Sequence, residues 1–311
     1  MKVFKKIISC FAAMFLLAAC LAIPAGRFTS YAGPVAEGPG TEAAPILGGA
    51  ELTLLSGEDG MSMMSAVIRT VSGDVIVVDG GREADRDHLL RVLQGYGGHV
   101  SLWLITHPHD DHVGALSEIL KMQPCPVQID RIAWSFLPNE MYEMGETQNR
   151  MSDLTSFQEA LRYAVPDSLV SPLYAGEQFT AGDAVVTVLN EPMFCERATF
   201  NNSSVAYRID VGGKRMLFLG DMGKEAGQNL LNTVGTEALK ADILQMSHHG
   251  NGYDNAGMGV YTAASPEICL WPTAQFIWNS SDLGAQSLCW LMEGLGAKRH
   301  LVTAFGDQVL R

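Results

Sequence analysis

Four side chains that can bind a metal ion lie within a stretch of six residues. They are His107, His109, Asp111 and His112. Imidazoles combined with a carboxylate suit zinc, and manganese or iron accept the same set. Pro108 keeps the backbone extended, so that His107 and His109 can face the same side. The stretch therefore predicts one ion held by these two imidazoles, and a second ion about 3.5–4 Å away near Asp111 and His112.

The flanking residues predict where this cluster lies in the fold. Residues 100–105 form a short apolar run after two glycines, which is typical of a buried strand. Residues 113–116 and those that follow predict the start of a helix. The cluster is therefore expected in a strand-to-helix loop at the carboxyl edge of a sheet, where open α/β sheets bind their ligands.

The second half of the chain offers three more side chains of the same kinds. Asp221 ends the apolar run that begins at residue 215, and a carboxylate at the end of a buried strand needs a partner for its charge. His248 and His249 follow another predicted strand, 241–246. We expect one of this pair to complete the second metal position or to donate a proton to a leaving group. His248 is expected to be the inward residue, with His249 close behind it; a core or surface histidine pair is the alternative.

The pattern His107-x-His109-x-Asp111-His112 resembles the signature of the metallo-β-lactamase-fold hydrolases, and the resemblance extends from about Glu51 to the C-terminus. It implies an α/β protein with the four-layer αββα sandwich of that family. It also implies two divalent metal ions at one edge of the sandwich, zinc or alternatively manganese.

The resemblance assigns roles to two aspartates. An aspartate placed like Asp79, before glycines at the end of a strand, supports the histidine loop in that family by hydrogen bonding. A plain turn residue is the alternative for Asp79. An aspartate placed like Asp221 bridges the two ions. We therefore expect the catalytic residues to be Asp111, Asp221, His248 and His249.

Three segments resemble a narrower group, the hydrolase domain of the bacterial DNA-uptake protein ComEC and its free-standing relatives. They are Asn201-Asn202-x-Ser204, Leu219-Gly220-Asp221 and Ser247-His248-His249-Gly250. In that group the Asn-Asn-x-Ser segment stands where other family members have a third histidine on the first ion. This chain has no histidine between His112 and His248, so Asn202 or Ser204 is expected to orient water or substrate instead.

A second departure from the family pattern lies near the C-terminus. The family commonly offers a late histidine to the second ion, but the only later histidine here is His300, inside the predicted strand 299–302. We expect a structural role for His300. With fewer imidazoles than a tight two-zinc site shows, one ion is expected to bind weakly, or the metal is one that prefers oxygen ligands, such as manganese.

These features predict a hydrolase in which a metal-activated water attacks a phosphodiester bond of a nucleotide or nucleic-acid fragment. The helix start after His112 offers amide donors to an anionic substrate, and Gly114 permits close approach. Two alternatives stay open. One is a β-lactam or lactone hydrolase of the same fold, which the missing third histidine disfavours. The other is a metal-depleted, non-catalytic surface module that binds a ligand.

The N-terminal residues predict export of a single domain. Residues 1–32 join a basic start to an apolar run that is too short for a spanning helix, which is typical of a signal peptide. Residues 33–46 are rich in Gly, Pro, Ala and Glu and predict a flexible linker. The hydrolase domain is then expected to span residues 47–311.

The signal segment also suggests a lipid anchor. Leu17-Ala18-Ala19-Cys20 resembles a bacterial lipobox, in which Cys20 becomes the lipidated N-terminus. This predicts a cell-surface lipoprotein of a bacterium, whose contact with the membrane is the anchor alone. Ordinary secretion, with cleavage after Ala25 or Ala32, is the alternative.

The charge of the chain restricts its partners. Export would remove four of the 21 basic residues and none of the 34 acidic ones, so the domain carries a net charge of −17. Such a domain gains nothing from the electrostatic attraction that dominates nucleic-acid affinity. We therefore expect a small anionic or phosphodiester substrate and no tight binding to long duplex DNA. The oligomeric state is left open.

Overall fold

The computed structural model describes residues 46–145 and 150–311. The predicted signal peptide, with Cys20, and all but the last residue of the predicted linker lie outside the described residues. Within the described part, no helix is long and apolar enough to cross a membrane.

Sixteen strands and nine helices make up the described part of the chain. The strands are β1 (Glu51–Leu54), β2 (Ala66–Arg69), β3 (Val75–Val78), β4 (His99–Val100), β5 (Leu102–Leu104), β6 (Gln128–Ile129), β7 (Ile132–Ala133), β8 (Leu169–Val170), β9 (Gln178–Ala181), β10 (Ala184–Val188), β11 (Tyr207–Val211), β12 (Lys214–Phe218), β13 (Ile243–Gln245), β14 (Ile268–Trp271), β15 (Arg299–Val302) and β16 (Gln308–Leu310). The helices are α1 (Arg86–Gly95), α2 (Asp110–Lys121), α3 (Asn139–Gly145), α4 (Met151–Ala160), α5 (Thr199–Asn202), α6 (Lys224–Leu239), α7 (Met258–Ala264), α8 (Gln275–Trp278) and α9 (Ala285–Gly294). Single 3-10 turns occur at Glu83–Asp85, Leu161–Tyr163, Pro166–Ser168, His248–Gly250 and Thr303–Phe305.

Fourteen of the strands form two seven-stranded sheets of similar design. The first has the order β16-β1-β2-β3-β5-β7-β8, and the second has the order β15-β14-β13-β12-β11-β10-β9; β4 and β6 form a small separate pair. In the first sheet, β16, β1, β2 and β3 pair antiparallel, and β3, β5, β7 and β8 pair parallel. In the second sheet, β9 to β12 pair antiparallel and β12 to β15 parallel. The parallel strands of each sheet therefore end at a common carboxyl edge.

The apolar side chains alternate along the strands and so form two kinds of core. In β2, Ile68 belongs to a cluster that joins both sheets and includes Ile209 of β11. Its neighbour Val67 points to the other face, where it packs in a cluster with residues of α1 and α2. On the far side of the second sheet, a third cluster joins its strands to α6, α7 and α9. Helices therefore cover both outer faces, and the predicted αββα sandwich is confirmed.

The helix after the histidine cluster starts earlier than predicted. Helix α2 begins at Asp110 rather than near Val113, so only the first two histidines of the cluster lie in a loop. His109 is the residue just before the helix, with an extended backbone (φ −70°, ψ 152°). Aspartates in the first turn of a helix are favoured by the positive end of the helix dipole, which explains the early start.

Candidate metal centre

Residues from both sheets meet at the carboxyl edges of the parallel strands. Asp79 follows β3, and Thr106 to His109 follow β5. Asp221 follows β12, and His249 follows β13. Strands that run parallel bring the residues after them to the same edge, which is why segments far apart in the sequence converge here.

Six side chains that could bind metal ions lie within contact of one another at this edge. The separations are 3.1 Å for His107 Nε2 and His109 Nδ1, 3.9 Å for His107 Nε2 and Asp221 Oδ2, 3.2 Å for His112 Nε2 and Asp221 Oδ1, 3.3 Å for His249 Nε2 and Asp221 Oδ2, and 3.0 Å for His249 Nε2 and Asp111 Oδ2. Two ligands of a tetrahedral zinc lie about 3.3 Å apart, given zinc–nitrogen bonds of about 2.0–2.1 Å. Four of these separations lie close to that spacing, and the one between His107 and Asp221 is longer. They define two overlapping groups, His107-His112-Asp221 and Asp111-His112-His249, each with ligand atoms within 4.8 Å of one another.

Hydrogen bonds at the outer side of the imidazoles determine which ring nitrogen faces the centre. His112 Nδ1 lies 2.7 Å from Asp79 Oδ2, and His249 Nδ1 lies 2.8 Å from the carbonyl oxygen of Pro272. Both partners are acceptors, so each Nδ1 carries a proton, and in the neutral ring each Nε2 has a free lone pair. These lone pairs point at the carboxylates of Asp111 and Asp221.

The same logic applies to His107. The Thr106 hydroxyl donates its one proton to Asp79 Oδ2 at 2.8 Å, so it can only accept from His107 Nδ1, which is 3.1 Å away. The Thr106 backbone N–H donates to the other oxygen of Asp79 at 2.8 Å. Asp79 therefore orients His112 directly and His107 through Thr106, which is the arrangement that metal-binding histidines commonly require.

Several inward-facing atoms are buried without a hydrogen bond among the described residues. They are His112 Nε2, His249 Nε2 and Asp221 Oδ1. Lone pairs of nitrogen and oxygen that face one another at about 3 Å repel unless a proton or a cation lies between them. The donor set and its orphaned atoms therefore fit divalent metal ions.

Electrostatics at the centre indicate a demand for positive charge. Burial lowers the pKa of His112, but the carboxylates of Asp221 and Asp79 outweigh it and raise that pKa well above its ordinary value. Burial opposes protonation of His249 as well, yet Asp221 and Asp111 raise its pKa to about 10. Although burial acts in the opposite direction, the imidazole of His249 holds the pKa of Asp111 below its ordinary value. A pocket of carboxylates that stabilises imidazolium in this way will also stabilise metal cations.

The first two histidines behave differently from these. Burial lowers the pKa of His107 well below its ordinary value, and it lowers the pKa of His109 to about 4. Both rings are therefore neutral at physiological pH, the state in which imidazole binds metals. The ring of Phe200 stacks on His109 with centroids 5.0 Å apart and planes inclined by 6°, which fixes the orientation of that imidazole.

The histidine pair after β13 corrects the sequence-based expectation. His249, not His248, faces Asp111 and Asp221, and its side chain is 6% exposed compared with 24% for His248. Both residues have positive φ angles, 50° and 55°, which are rare for histidine. This backbone turns the second ring into the centre and the first ring outwards, a direction that alternation along a strand does not predict.

His248 lies beside the metal centre with both ring nitrogens engaged. Its Nδ1 is 3.2 Å from Asp254 Oδ2 and 3.0 Å from the Asp254 carbonyl oxygen, so Nδ1 carries a proton. Its Nε2 is 3.4 Å from Nδ2 of Asn201. Neither Asp254 nor Asn201 was among the predicted site residues. Asn201 belongs to the quoted Asn-Asn-x-Ser segment, but nothing in the sequence distinguishes it from Asn202.

The two residues expected to orient water or substrate make protein contacts instead. Ser204 Oγ accepts a hydrogen bond from the Asp221 backbone N–H at 3.1 Å and so holds that turn. The Asn202 side-chain N–H groups donate to the carbonyl oxygens of Arg197 at 3.1 Å and Ala198 at 3.3 Å. Asn201 is the carboxamide of this segment that reaches His248.

Gly114 has a different purpose from the predicted one. A Cβ at Gly114 would lie 2.5 Å from the backbone nitrogen of Glu83 and 2.9 Å from the carbonyl carbon of Arg82. The glycine allows α2 to pack closely against this segment. Backbone atoms of Arg82 and Glu83 therefore occupy the space beside Gly114 that a substrate was expected to approach.

A third group of possible ligands lies away from this edge, at Cys289, Glu293 and His300. The indole N–H of Trp271 donates to His300 Nδ1 at 3.0 Å, so the proton of a neutral His300 must lie on Nε2. That leaves no lone pair for a metal, and it supports a structural role for His300. Cys125, Cys195, Cys269 and Cys289 are free thiols.

Comparison with known proteins places this geometry in a family. The model of the metallo-beta-lactamase superfamily matches residues 64–252, which is more than half of the chain and contains every residue of the candidate metal centre. No curated protein matches the chain.

Solved structures share the fold at low sequence identity. YhfI of Bacillus subtilis, a metallo-beta-lactamase fold protein, is 14% identical, with 84% of this chain and 99% of that chain covered and a TM-score of 0.50. CmlA of Streptomyces venezuelae, a diiron beta-hydroxylase, is 12% identical, with 84% of this chain and 54% of that chain covered and a TM-score of 0.51. At such identities the likeness shows a common fold and carries no information on the substrate.

Proposed function

The chain belongs to the metallo-β-lactamase superfamily, a family of metal-dependent hydrolases, and from this membership we propose that it hydrolyses phosphodiester bonds of nucleotides or nucleic-acid fragments. The observation that carries the proposal is the set of inward lone pairs of His107, His112 and His249 around the carboxylates of Asp111 and Asp221. Two divalent ions, zinc or manganese, are the occupants that this set favours.

The ligands divide between two positions. His107, His109 and Asp221 would hold the first ion, and Asp111, His112, His249 and Asp221 would hold the second. When bound, the ions supply an activated water and stabilise the charge that develops on the attacked group. Each position has two imidazoles and a share of Asp221, but only the second also has the carboxylate of Asp111. We therefore propose that the first ion binds more weakly.

The remaining side chains serve the reaction around the ions. Asp221 is buried with both of its oxygens facing imidazoles, so it can hold both positions at a fixed separation. His248 is partly exposed beside the centre, and Asp254 keeps the proton of its Nδ1 in place. When His248 is doubly protonated, its Nε2, next to Asn201, also carries a proton, which it can deliver to the leaving oxygen.

Two sequence features support a small phosphodiester substrate over a β-lactam. The Asn-Asn-x-Ser and Ser-His-His-Gly segments resemble those of the ComEC-type hydrolase domains, and the third histidine of the lactamase pattern is missing. The net charge of −17 after export disfavours long duplex DNA as a substrate.

Turnover of two substrates tests the proposal. The purified protein, loaded with Zn²⁺ or Mn²⁺, is assayed with bis-para-nitrophenyl phosphate and with nitrocefin. We expect hydrolysis of the phosphodiester only, and its loss in Asp111→Ala. Asp110→Asn is the matched control, because Asp110 is the preceding residue but pairs with Arg82 at 2.9 Å and Arg150 at 3.3 Å rather than with the centre. Hydrolysis of nitrocefin alone would show that the substrate is a β-lactam rather than a phosphodiester. Metal binding without turnover of either compound would favour the alternative of a non-catalytic binding module.

We also propose that the protein is exported and anchored through a lipid on Cys20. Incorporation of an alkyne-labelled fatty acid into the expressed protein tests the anchor, with Cys20→Ser as the variant. Release of an unlabelled protein into the medium from wild-type cells would favour ordinary secretion.

A further inference from the structure

A single polar side chain ends the buried strand that leads to His249. Gln245, the last residue of β13, is fully buried between apolar neighbours. A buried carboxamide costs free energy unless its donors and acceptor are all satisfied. Both of its N–H groups and its oxygen are used: Nε2 donates to the carbonyl oxygens of Gly220 at 3.0 Å and Met246 at 2.8 Å, and Oε1 accepts from the Leu219 backbone N–H at 2.8 Å.

These hydrogen bonds lie where the ladder between the two site-bearing strands ends. The parallel pairing of β12 and β13 reaches only Leu217 and Leu244. Beyond that point β12 leads to Asp221 and β13 leads to His249, and backbone groups on either side no longer face each other in register. The Gln245 side chain takes the place of the next backbone hydrogen bonds and joins the two diverging segments.

Further contacts also restrict the turn at Gly220, which Gln245 holds. The Gly220 carbonyl oxygen also accepts from the His248 backbone N–H at 3.1 Å, so one oxygen joins the side chain to the histidine loop. Gly220 has a φ of 57°, and a Cβ there would lie 2.8 Å from both Ser204 Oγ and the Thr106 side chain. Gln245 is therefore the group that links the Asp221 turn, the His248-His249 turn and their strands.

We propose that Gln245 is a positioning residue, which sets the separation of Asp221 and His249 and thereby the affinity of the centre for metal. This inference rests on the proposed metal site. A carboxamide is needed because the contacts require one acceptor and two donors on the same group. Glutamate would place an acceptor against two carbonyl oxygens, and methionine would remove all three hydrogen bonds at nearly constant volume.

Metal affinity separates this role from a general loss of stability. Zn²⁺ affinity is measured by competition with a chromophoric chelator, and the visible spectrum of the Co²⁺-loaded protein reports the ligand geometry. We expect Gln245→Met and Gln245→Glu to bind metal about 10–100-fold more weakly, the usual loss when a group that orients metal ligands is removed. Their Co²⁺ spectra should differ from that of the wild type. Ile68→Val, a core change in β2 of the first sheet, should leave both measurements unchanged.

The outcomes distinguish the two proposals. If the wild type binds neither ion, the proposed metal site fails, and this inference fails with it. If the wild type binds metal and both folded Gln245 variants match it in affinity and spectrum, only the positioning role is overturned. If neither variant folds, amide hydrogen exchange of the metal-free wild type is measured instead. Protection of the Leu219 amide to the same degree as the amides of β12 supports the inference. Exchange of the Leu219 amide as fast as that of exposed loops overturns it.

Discussion

Asp221 Oδ1 lies 3.2 Å from His112 Nε2, although Asp221 follows a strand of the second sheet and His112 lies in the first turn of a helix that follows a strand of the first. The centre is therefore built across the two sheets, and neither half of the chain contains it alone. Asp221 also faces His107 and His249, so that a single carboxylate contacts three imidazoles.

We expect Asp221→Asn to remove most of the bound metal. The carboxamide keeps the shape of the side chain but loses the negative charge and one of the two acceptor oxygens. Elemental analysis after loading and desalting should show a fall from about two ions per chain, the number expected of such a centre, to below one. A variant that keeps two ions would contradict the proposed bridging role of Asp221.

The two neighbouring histidines should have separable effects. His249→Gln should lose metal from the second position, because its Nε2 faces Asp111 and Asp221. His248→Gln should keep its metal and reduce phosphodiester turnover by about 10²–10⁴-fold, the usual range for a lost general acid. Metal content and kcat, measured on both variants, check this. The reverse pattern would restore His248 as the ligand.

Asp79→Asn should weaken metal binding although Asp79 lies outside the predicted ligand set. Its Oδ2 accepts from His112 Nδ1 and the Thr106 hydroxyl, and its Oδ1 accepts from the Thr106 backbone N–H. Asparagine has only one acceptor oxygen, so it cannot satisfy both sides, and it also lacks the negative charge. The expected loss of metal affinity is about 10–100-fold, again measured by chelator competition. Asp74→Asn is a suitable control, since Asp74 accepts hydrogen bonds from Ser72 and Ser101 at the other end of β3. Equal affinities in the two variants would leave Asp79 with the role of a turn residue.

The sequence predicted those features that depend on local pattern. The His107–His112 cluster is contiguous, so its proximity needs no knowledge of the fold. Asp221 is expected at the centre for two reasons: a carboxylate that ends a buried apolar run needs a partner for its charge, and the resemblance to the family implies that an aspartate in this place bridges the ions.

Features that depend on backbone direction or distant packing were not predictable in this way. Whether His248 or His249 turns inward depends on two consecutive positive φ angles, for which the sequence gives no signal. Gly114 is small because the segment at Arg82–Glu83 approaches it, a contact between parts of the chain separated by a helix. Asn201 and Asn202 are the last two residues of α5, a four-residue helix that is too short for any periodicity to reveal.

An ion pair remote from the centre should make stability depend on pH in a defined direction. His88 Nε2 lies 2.8 Å from Asp307 Oδ2, and Glu58, Arg91 and Asp85 are further charged groups that interact with this histidine. The hydrogen bond to Asp307 raises the pKa of His88. Although burial opposes ionisation of Asp307, its hydrogen bonds to His88 and Ser56 hold its pKa below the ordinary value.

The sign of the effect follows from linkage between protonation and folding. A raised histidine pKa stabilises the folded state fully below the unfolded pKa of about 6.5, and this contribution is lost as the pH rises through the folded value. A lowered aspartate pKa stabilises above about 3.9 and is lost as the pH falls. The pair should therefore contribute most between about pH 4 and pH 6.5. A double-mutant cycle of His88→Asn and Asp307→Asn checks this by urea unfolding of the protein from which metal has been removed with a chelator. The coupling free energy between the two residues should be about 1 kcal/mol at pH 5.5 and close to zero at pH 8.5. A coupling that grows with pH would show that neutral His88, rather than the imidazolium, is the partner of Asp307.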